Sequence, residues 1–292
     1  MRKIKTWSTP VVAEEKKLIP CGLCGGQSFK ASLSCDGFSY VRCRACGLVQ
    51  INPQPLEAEI KKRYREDYLP YELDNEDAFL NLQLLALRDA DFPDYEKRLF
   101  SINKKPRVLD LGCATGSLLV RLRDRGWETT GVEISGAQAE YGRRLRGLDI
   151  RDLPLEQNRF PSGSFDTVLA SHLIEHVNDP GALVHEIHRI LAADGRLFIT
   201  TPNMAGFQAR LFRGRWRSAI FDHLYLFSDK TLKRLLKEKG FTVEKTASWG
   251  GLAAGLALWP IKKVFDRAAK LFGFGDVMIM RARRRDSPEK SG

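Results

Sequence analysis

Residues 106–133 constrain this chain most. Pro106 introduces the apolar run Val108-Leu109-Asp110-Leu111, the turn Gly112-Cys113-Ala114-Thr115-Gly116 follows, and Thr130-Gly131-Val132-Glu133 ends a second stretch one helix length later. A run apolar on both faces suits a central parallel strand covered by helices. Gly112 and Gly116 permit a tight turn and close approach of backbone to a ligand. Leu118, Leu119 and Leu122 then recur at helical spacing, with Arg121, Arg123 and Asp124 between them, and Gly126 stops the helix. The segment is one strand-helix-strand unit of an α/β fold.

Glu133 closes the second strand, where a carboxylate can accept both hydroxyls of a ribose, as in dinucleotide-binding folds. A dinucleotide fingerprint needs G-x-G-x-x-G to bring a helix N-terminus to a pyrophosphate. Here Cys-Ala-Thr separates Gly112 from Gly116, and Ser117 follows. With no pyrophosphate to hold, the turn fits an adenosine ligand with a smaller tail.

Val108 to Gly116 resembles the first motif of class I S-adenosylmethionine (SAM) methyltransferases, with Ala114 where that family usually has a third glycine. The resemblance implies that Asp110, Gly112, Cys113, Ala114, Thr115 and Gly116 face the methionine portion of SAM. It assigns Glu133 to the ribose, Ile134 beside it to the cofactor site, and Asp152-Leu153 to the adenine loop. Next come a fourth strand from Phe165 to His172 and the stretch Glu175-His176-Val177-Asn178-Asp179-Pro180. A helix striped by Leu183, Val184, Ile187, Ile190 and Leu191 ends at Asp194-Gly195, before the strand Arg196–Thr200 and Thr201-Pro202-Asn203. The succession is similar to the ubiquinone-methyltransferase-like branch of the family over about residues 106–248. It implies a Rossmann-like seven-stranded SAM methyltransferase sheet, Ser171 and His172 beside the sulfonium, and a last strand from Asp276 to Met280 inserted antiparallel beside the fifth.

Cysteine usage marks a second unit, residues 15–52. Cys21-x2-Cys24 and Cys43-x2-Cys46 are separated by eighteen residues, and a glycine (Gly25, Gly47) follows each pair. Such spacing sets four thiolates around one tetrahedral Zn²⁺, so a small N-terminal zinc ribbon with structural zinc is expected. It is too small to stand without its metal. Cys35 and Cys113 read as plain buried thiols. Asn52-Pro53-Gln54-Pro55 then breaks the chain, and residues 53–105 read as a helical linker or lid with helices over 56–66 and about 76–102. The methyltransferase domain would span 106–285.

The order of four-cysteine ribbon, N-P-x-P, Tyr-rich linker and methyltransferase core resembles bacterial methyltransferases of sugar, polysaccharide and secondary-metabolite pathways. Among these are sugar C-methyltransferases with an N-terminal zinc unit, whose long C-terminal domain this sequence does not show. The resemblance implies a small-molecule or lipid-linked glycan acceptor, with O-methylation favoured.

Methyl transfer needs an acceptor held in line and a base for its proton. Histidine is the natural base near neutral pH, and there are five. His185 and His188 fall opposite their helix's apolar stripe and read as solvated. His172 and His176 read as pocket lining. His223, in Phe221-Asp222-His223-Leu224-Tyr225-Leu226-Phe227-Ser228, precedes a helix that Ser228 can cap. The segment resembles the E-H-x-x-x-F-S stretch that supplies the base in the sugar methyltransferases, which assigns catalysis to His223 with Asp222 in place of the glutamate.

A net charge of +11 over 292 residues favours phosphates, nucleic acid or anionic lipid. Nucleic acid is disfavoured, because no stripe of interleaved arginines and aromatics stands out beyond Arg213 to Trp216. The segment 249–274 reads as an amphipathic insertion. Within it residues 260–272 set lysines opposite an apolar face, which suits burial or peripheral contact with an anionic membrane. No stretch approaches the ~18 to 20 apolar residues of a membrane span and the first residues lack the apolar core of a signal peptide. A cytoplasmic location is expected, extending to the inner-membrane surface. Two other readings stay open: an rRNA or tRNA methyltransferase, and a non-catalytic SAM-fold scaffold using its ribbon to bind partners.

Overall fold

The computed structural model describes residues 16–35, 37–56, 68–250, 267 and 269–285. The chain begins with short strands β1 (Lys16–Lys17), β2 (Phe29–Cys35), β3 (Phe38–Cys43), β4 (Val49–Ile51) and β5 (Gln54–Pro55). Helices α1 (Tyr68–Asp89) and α2 (Phe92–Ile102) lead into an alternating series: β6 (Arg107–Leu111), α3 (Ser117–Arg123), β7 (Glu128–Val132), α4 (Gly136–Arg146), β8 (Asp149–Arg151) and β9 (Phe165–Ser171). Then come α5 (Pro180–Ile190), β10 (Leu191–Pro202), α6 (Phe207–Phe212), β11 (Tyr225–Leu226), α7 (Asp229–Glu238), β12 (Phe241–Trp249) and β13 (Val277–Arg284).

Seven strands form one sheet in the order β12-β13-β10-β9-β6-β7-β8. The pairs among β6 to β10 are parallel, while β13 runs antiparallel between β10 and β12. This is the Rossmann-like sheet expected from the sequence, with the last strand beside β10 as predicted. The chain steps from β6 outward through β7 and β8, then returns to β9 on the other side of β6. That reversal opens a crevice beyond the carboxyl ends of β6 and β9, the place where doubly wound sheets bind ligands.

Helical expectations hold less closely. The helix predicted over 76–102 is two helices broken at Asp91, which takes φ 57°; Pro93 stands in the first turn of α2, lacks an N–H and cannot continue α1. Its apolar residues do not share a face: Leu80 and Leu87 are buried, but Leu82 and Leu85 are exposed. Phe92 and Tyr95 on α2 fix the pair to the sheet by packing on Phe198 of β10, with ring centroids 5.1 and 5.6 Å apart.

The cysteine unit is not a separate bead. Its sheet has the order β11-β4-β3-β2, so Tyr225 and Leu226 from the far half of the chain supply its edge strand. Tyr40, Leu48, Val49 and Ile51 share one core with Leu224, Tyr225 and Phe227. The helix expected over 56–66 lies outside the described residues except for residue 56, and of the amphipathic run 260–272 only residues 267 and 269–272 are described, all helical. Among the described residues no helix is long and apolar enough to cross a membrane.

Candidate functional site

The crevice is built on main-chain geometry that only certain residues allow. Gly112 and Gly116 take φ 71° and 82°, and a Cβ at Gly116 would stand 2.4 Å from Leu148 Cδ1. Ala114 also sits in the left-handed region, at φ 49°. That conformation costs an alanine ~1–2 kcal/mol, which explains why a glycine is usual there.

Asp110 lies beneath this turn on β6. It is 1% exposed, and neither carboxylate oxygen has a hydrogen-bond partner among the described residues. Burial, reinforced by the negative charge of Glu133, pushes its pKa up to about 7. An unpartnered buried carboxylate is costly and is the kind of group a ligand satisfies. Glu133 at the end of β7 accepts from the Ala114 N–H at 3.1 Å and the Ser135 N–H at 2.8 Å, so it holds the turn and the start of α4 together. Burial raises its pKa as well. Ile134 and Leu153, apolar residues 48% and 47% exposed, follow the ends of β7 and β8. Asp152 is exposed and paired with Arg143 at 3.2 Å.

These features fit the groups of SAM. The methionine end is cationic, the ribose offers two hydroxyls, and the adenine is a flat apolar ring. Asp110, Glu133 and the pair Ile134 and Leu153 offer the matching chemistry. Cys113 is buried under the turn, and burial keeps its thiol protonated by raising its pKa.

Helix α1 closes one side. Glu76 accepts from the Thr115 hydroxyl and takes two bonds from Arg146 of α4, at 2.6 and 2.7 Å. Glu72, one turn earlier, is buried; burial and the charges of Glu133 and Glu76 push its pKa up to about 7. The linker helix is therefore tied to the cofactor turn itself. Neither glutamate stood out in the sequence, because acids on a polar helix face have no local signal.

A second cluster begins at the end of β9. His172 takes φ 51°, and its Nδ1 lies 3.1 Å from Glu175 Oε1. Glu175 is fully buried and its other oxygen accepts from the Thr201 hydroxyl at 2.9 Å. Burial alone would raise the Glu175 pKa, but the His172 hydrogen bond and the electrostatic influence of the neighbouring His172, His176 and His223 rings hold it down to about 2. The His172 side chain is 46% exposed, and its Nε2 has no partner among the described residues. Glu175, His176 and His223 gather their ligand-type atoms within 4.8 Å of one another.

His223 belongs to this cluster. It is buried, and its Nδ1 lies 2.7 Å from the Ser218 carbonyl oxygen. A main-chain carbonyl thus orients the imidazole. Its ring stands edge-on to His176 at 4.7 Å. Burial, with His176 beside it, drives its pKa down to about 3. His223 is a neutral packed ring, while His172 has the open nitrogen. His185 is exposed as expected, but His188 is half-buried against Phe241.

The four cysteines converge. Cys21 and Cys46 sulfurs are 3.4 Å apart, those of Cys24 and Cys43 3.6 Å, and all four lie within 4.8 Å. A tetrahedral Zn²⁺ with Zn–S bonds of 2.3 Å spaces its sulfurs by about 3.8 Å, so the cluster has room for one ion. Main-chain knuckles shape it: Gly25 N–H donates to the Cys21 carbonyl and Gly47 N–H to that of Cys43. Cys35 is apart from the cluster, with its sulfur 3.1 Å from the Ala219 carbonyl oxygen.

The sheet order, the glycine turn and the strand-end carboxylates together define a Rossmann-like SAM methyltransferase fold. The chain belongs to the methyltransferase-domain family, whose profile matches residues 85–246. Among curated relatives, the ubiquinone biosynthesis O-methyltransferase of Pseudomonas aeruginosa is 32% identical over 104 residues, 33% of this chain and 44% of that protein. Its Xanthomonas oryzae counterpart is 33% identical over 108 residues, 33% and 43% of the two chains. The chain thus spans less than half the length of the curated relatives it matches. Among solved structures, a SAM-dependent methyltransferase of Thermotoga maritima aligns with TM-score 0.55 at 21% identity, covering 77% of this chain and 98% of the other. One from Archaeoglobus fulgidus aligns at 0.52 and 19%, covering 73% and 99%.

Proposed function

We propose that this protein is a SAM-dependent methyltransferase acting on a hydroxyl of a small or lipid-linked acceptor, such as a sugar or secondary metabolite. The observation that carries the reading is Asp110: a buried carboxylate without a hydrogen-bond partner among the described residues, under a glycine turn, at the switch point of the sheet. A cationic ligand there relieves the cost of keeping that carboxylate ionised. Bound SAM supplies an activated methyl group on a good leaving group, so little covalent chemistry falls to the protein. Asp110 and the 112–116 turn hold the methionine end, Glu133 the ribose, and Ile134 and Leu153 the adenine.

The acceptor proton goes to His172. Glu175 fixes the imidazole through Nδ1, which leaves Nε2 as the accepting nitrogen while the acceptor oxygen takes the methyl group. The left-handed backbone of His172 is strain of the sort that persists at working sites. His176 and His223 back this pair. The names of the curated relatives favour oxygen as the methylated atom. Cys21, Cys24, Cys43 and Cys46 hold a structural Zn²⁺.

Titration calorimetry with SAM tests the core of this proposal. Wild-type protein binds, and Asp110→Ala does not. Equal heats from both proteins would overturn it.

A further inference from the structure

A second hollow lies between the cysteine sheet and the segment that runs from the end of β10 through α6 to the start of α7, and shares no residue with the cofactor crevice. Its volume is about 600 Å³, within the roughly 300–1,000 Å³ of small-molecule sites. Leu33, Met204 and Leu226 give it an apolar floor. Arg42 from β3 enters from one side, and Arg210, Arg213 and Lys230 from the other.

The charge is lopsided. Among the described residues, the side chains of Arg210, Arg213 and Lys230 have no ion-pair or hydrogen-bond partner, and Arg42 donates to the Gly47 carbonyl at 3.1 Å. The one acid in the lining, Asp229, is already paired with Lys233 at 2.8 Å. Chain geometry holds the cations there. Gly214 sits so close to β2 that a Cβ would stand 2.1 Å from the Ser34 carbonyl oxygen, and Arg213 beside it adopts φ 51°. Four cations converging on a cleft of this size match one ligand chemistry, an anion with several oxygens.

We propose that this cleft binds a phosphoryl group, mono- or diphosphate, carried by the methyl acceptor. That the anion belongs to the acceptor rests on the methyl-transfer reading above; the anion site does not. Among the described residues its lining holds no aromatic ring on which a base could stack, which separates it from a single-strand nucleic-acid groove. The cysteine module thereby gains a part in the chemistry, since Arg42 is presented from the strand that also carries Cys43.

The test is calorimetric titration of the full-length protein with inorganic pyrophosphate. Arg210→Ala/Arg213→Ala/Lys230→Ala removes exposed side chains and leaves folding intact, and it should weaken pyrophosphate binding at least tenfold. Arg42→Lys keeps the charge and should retain binding, while the distant Arg98→Ala should match wild type. Uridine diphosphate and micellar farnesyl diphosphate tell a soluble from a lipid-linked source: the one that binds more tightly than pyrophosphate has the acceptor's body. Absence of pyrophosphate binding in the wild type, or equal loss in Arg98→Ala and the triple variant, would overturn the site. SAM titrated into the same samples separates the two readings, since pyrophosphate binding with no SAM binding would sink methyl transfer and leave the cleft standing.

Discussion

The phenol oxygen of Tyr40 stands 2.9 Å from the main-chain carbonyl oxygen of His223, across 183 residues of sequence. The same oxygen is 2.8 Å from the Ile220 carbonyl, and the ring is fully buried. A strand of the cysteine module therefore holds the loop behind the histidine cluster. In Tyr40→Phe the buried carbonyls lose their donor, at a cost of ~1–3 kcal/mol. Turnover should fall while SAM affinity stays within twofold. Equal loss of both in steady-state kinetics and calorimetry would mean only general unfolding.

Metal removal should have the same signature. Purified protein is expected to contain one Zn²⁺ per chain, and Cys46→Ser to lose it. Because the module shares its core and its edge strand with residues 224–227, the metal-free protein should bind SAM but turn over slowly. Plasma emission spectrometry finding no zinc in protein made without chelator would end this assignment.

His172→Ala should lower turnover by ~10²- to 10⁴-fold, the usual worth of general base catalysis, and Glu175→Gln should follow it. His223→Ala, which removes a buried ring, should instead lower thermal stability and reduce turnover less than His172→Ala does. Single-turnover assays on the three variants decide it, and a larger loss from His223→Ala returns the base to that residue.

Asp110 and Glu72 give the ligand-free protein an unusual pH profile. Their folded pKa values, about 7, lie above the ordinary 3.8 and 4.5. Between those limits the folded chain keeps protons that the unfolded chain has released. Stability from these groups is thus full in acid, falls as pH rises from about 4 to about 7, and is level above. Asp110→Asn should flatten that slope and raise the melting temperature at pH 8, while SAM binding falls more than tenfold. Calorimetric scans from pH 5 to 8 check this, and a slope unchanged in the variant would contradict it.

Glu133→Ala removes two main-chain contacts and the acceptor for the ribose. SAM affinity should drop by ~1.5–3 kcal/mol, the range for hydrogen bonds to charged groups. Titration calorimetry reads it directly, and an unchanged affinity would remove Glu133 from the pocket.

The parts of this molecule legible in sequence are those specified by neighbours along the chain. The β6 run, the glycine turn and Glu133 are local, as are the paired cysteines, and each occurs where its spacing says. Helix α1 was half legible: its apolar residues announce a helix, but which of them are buried depends on a sheet assembled elsewhere. Asp222-His223 looks like a dyad in the sequence, whereas His172, ending a strand, has no local mark. Burial and the Ser218 carbonyl, both tertiary, distinguish the two. Tyr40, Glu76 and Arg146 act across distances that no motif spans.

One ladder sets an order of events on the ribosome. Val49 and Gln50 pair with Leu226 and Tyr225, so the cysteine module, once made, exposes an unpaired strand edge until some 175 further residues have followed it. Non-local pairing of this kind is slow and leaves edges open to wrong partners. The cysteine sheet is finished only after most of the domain behind it has been translated.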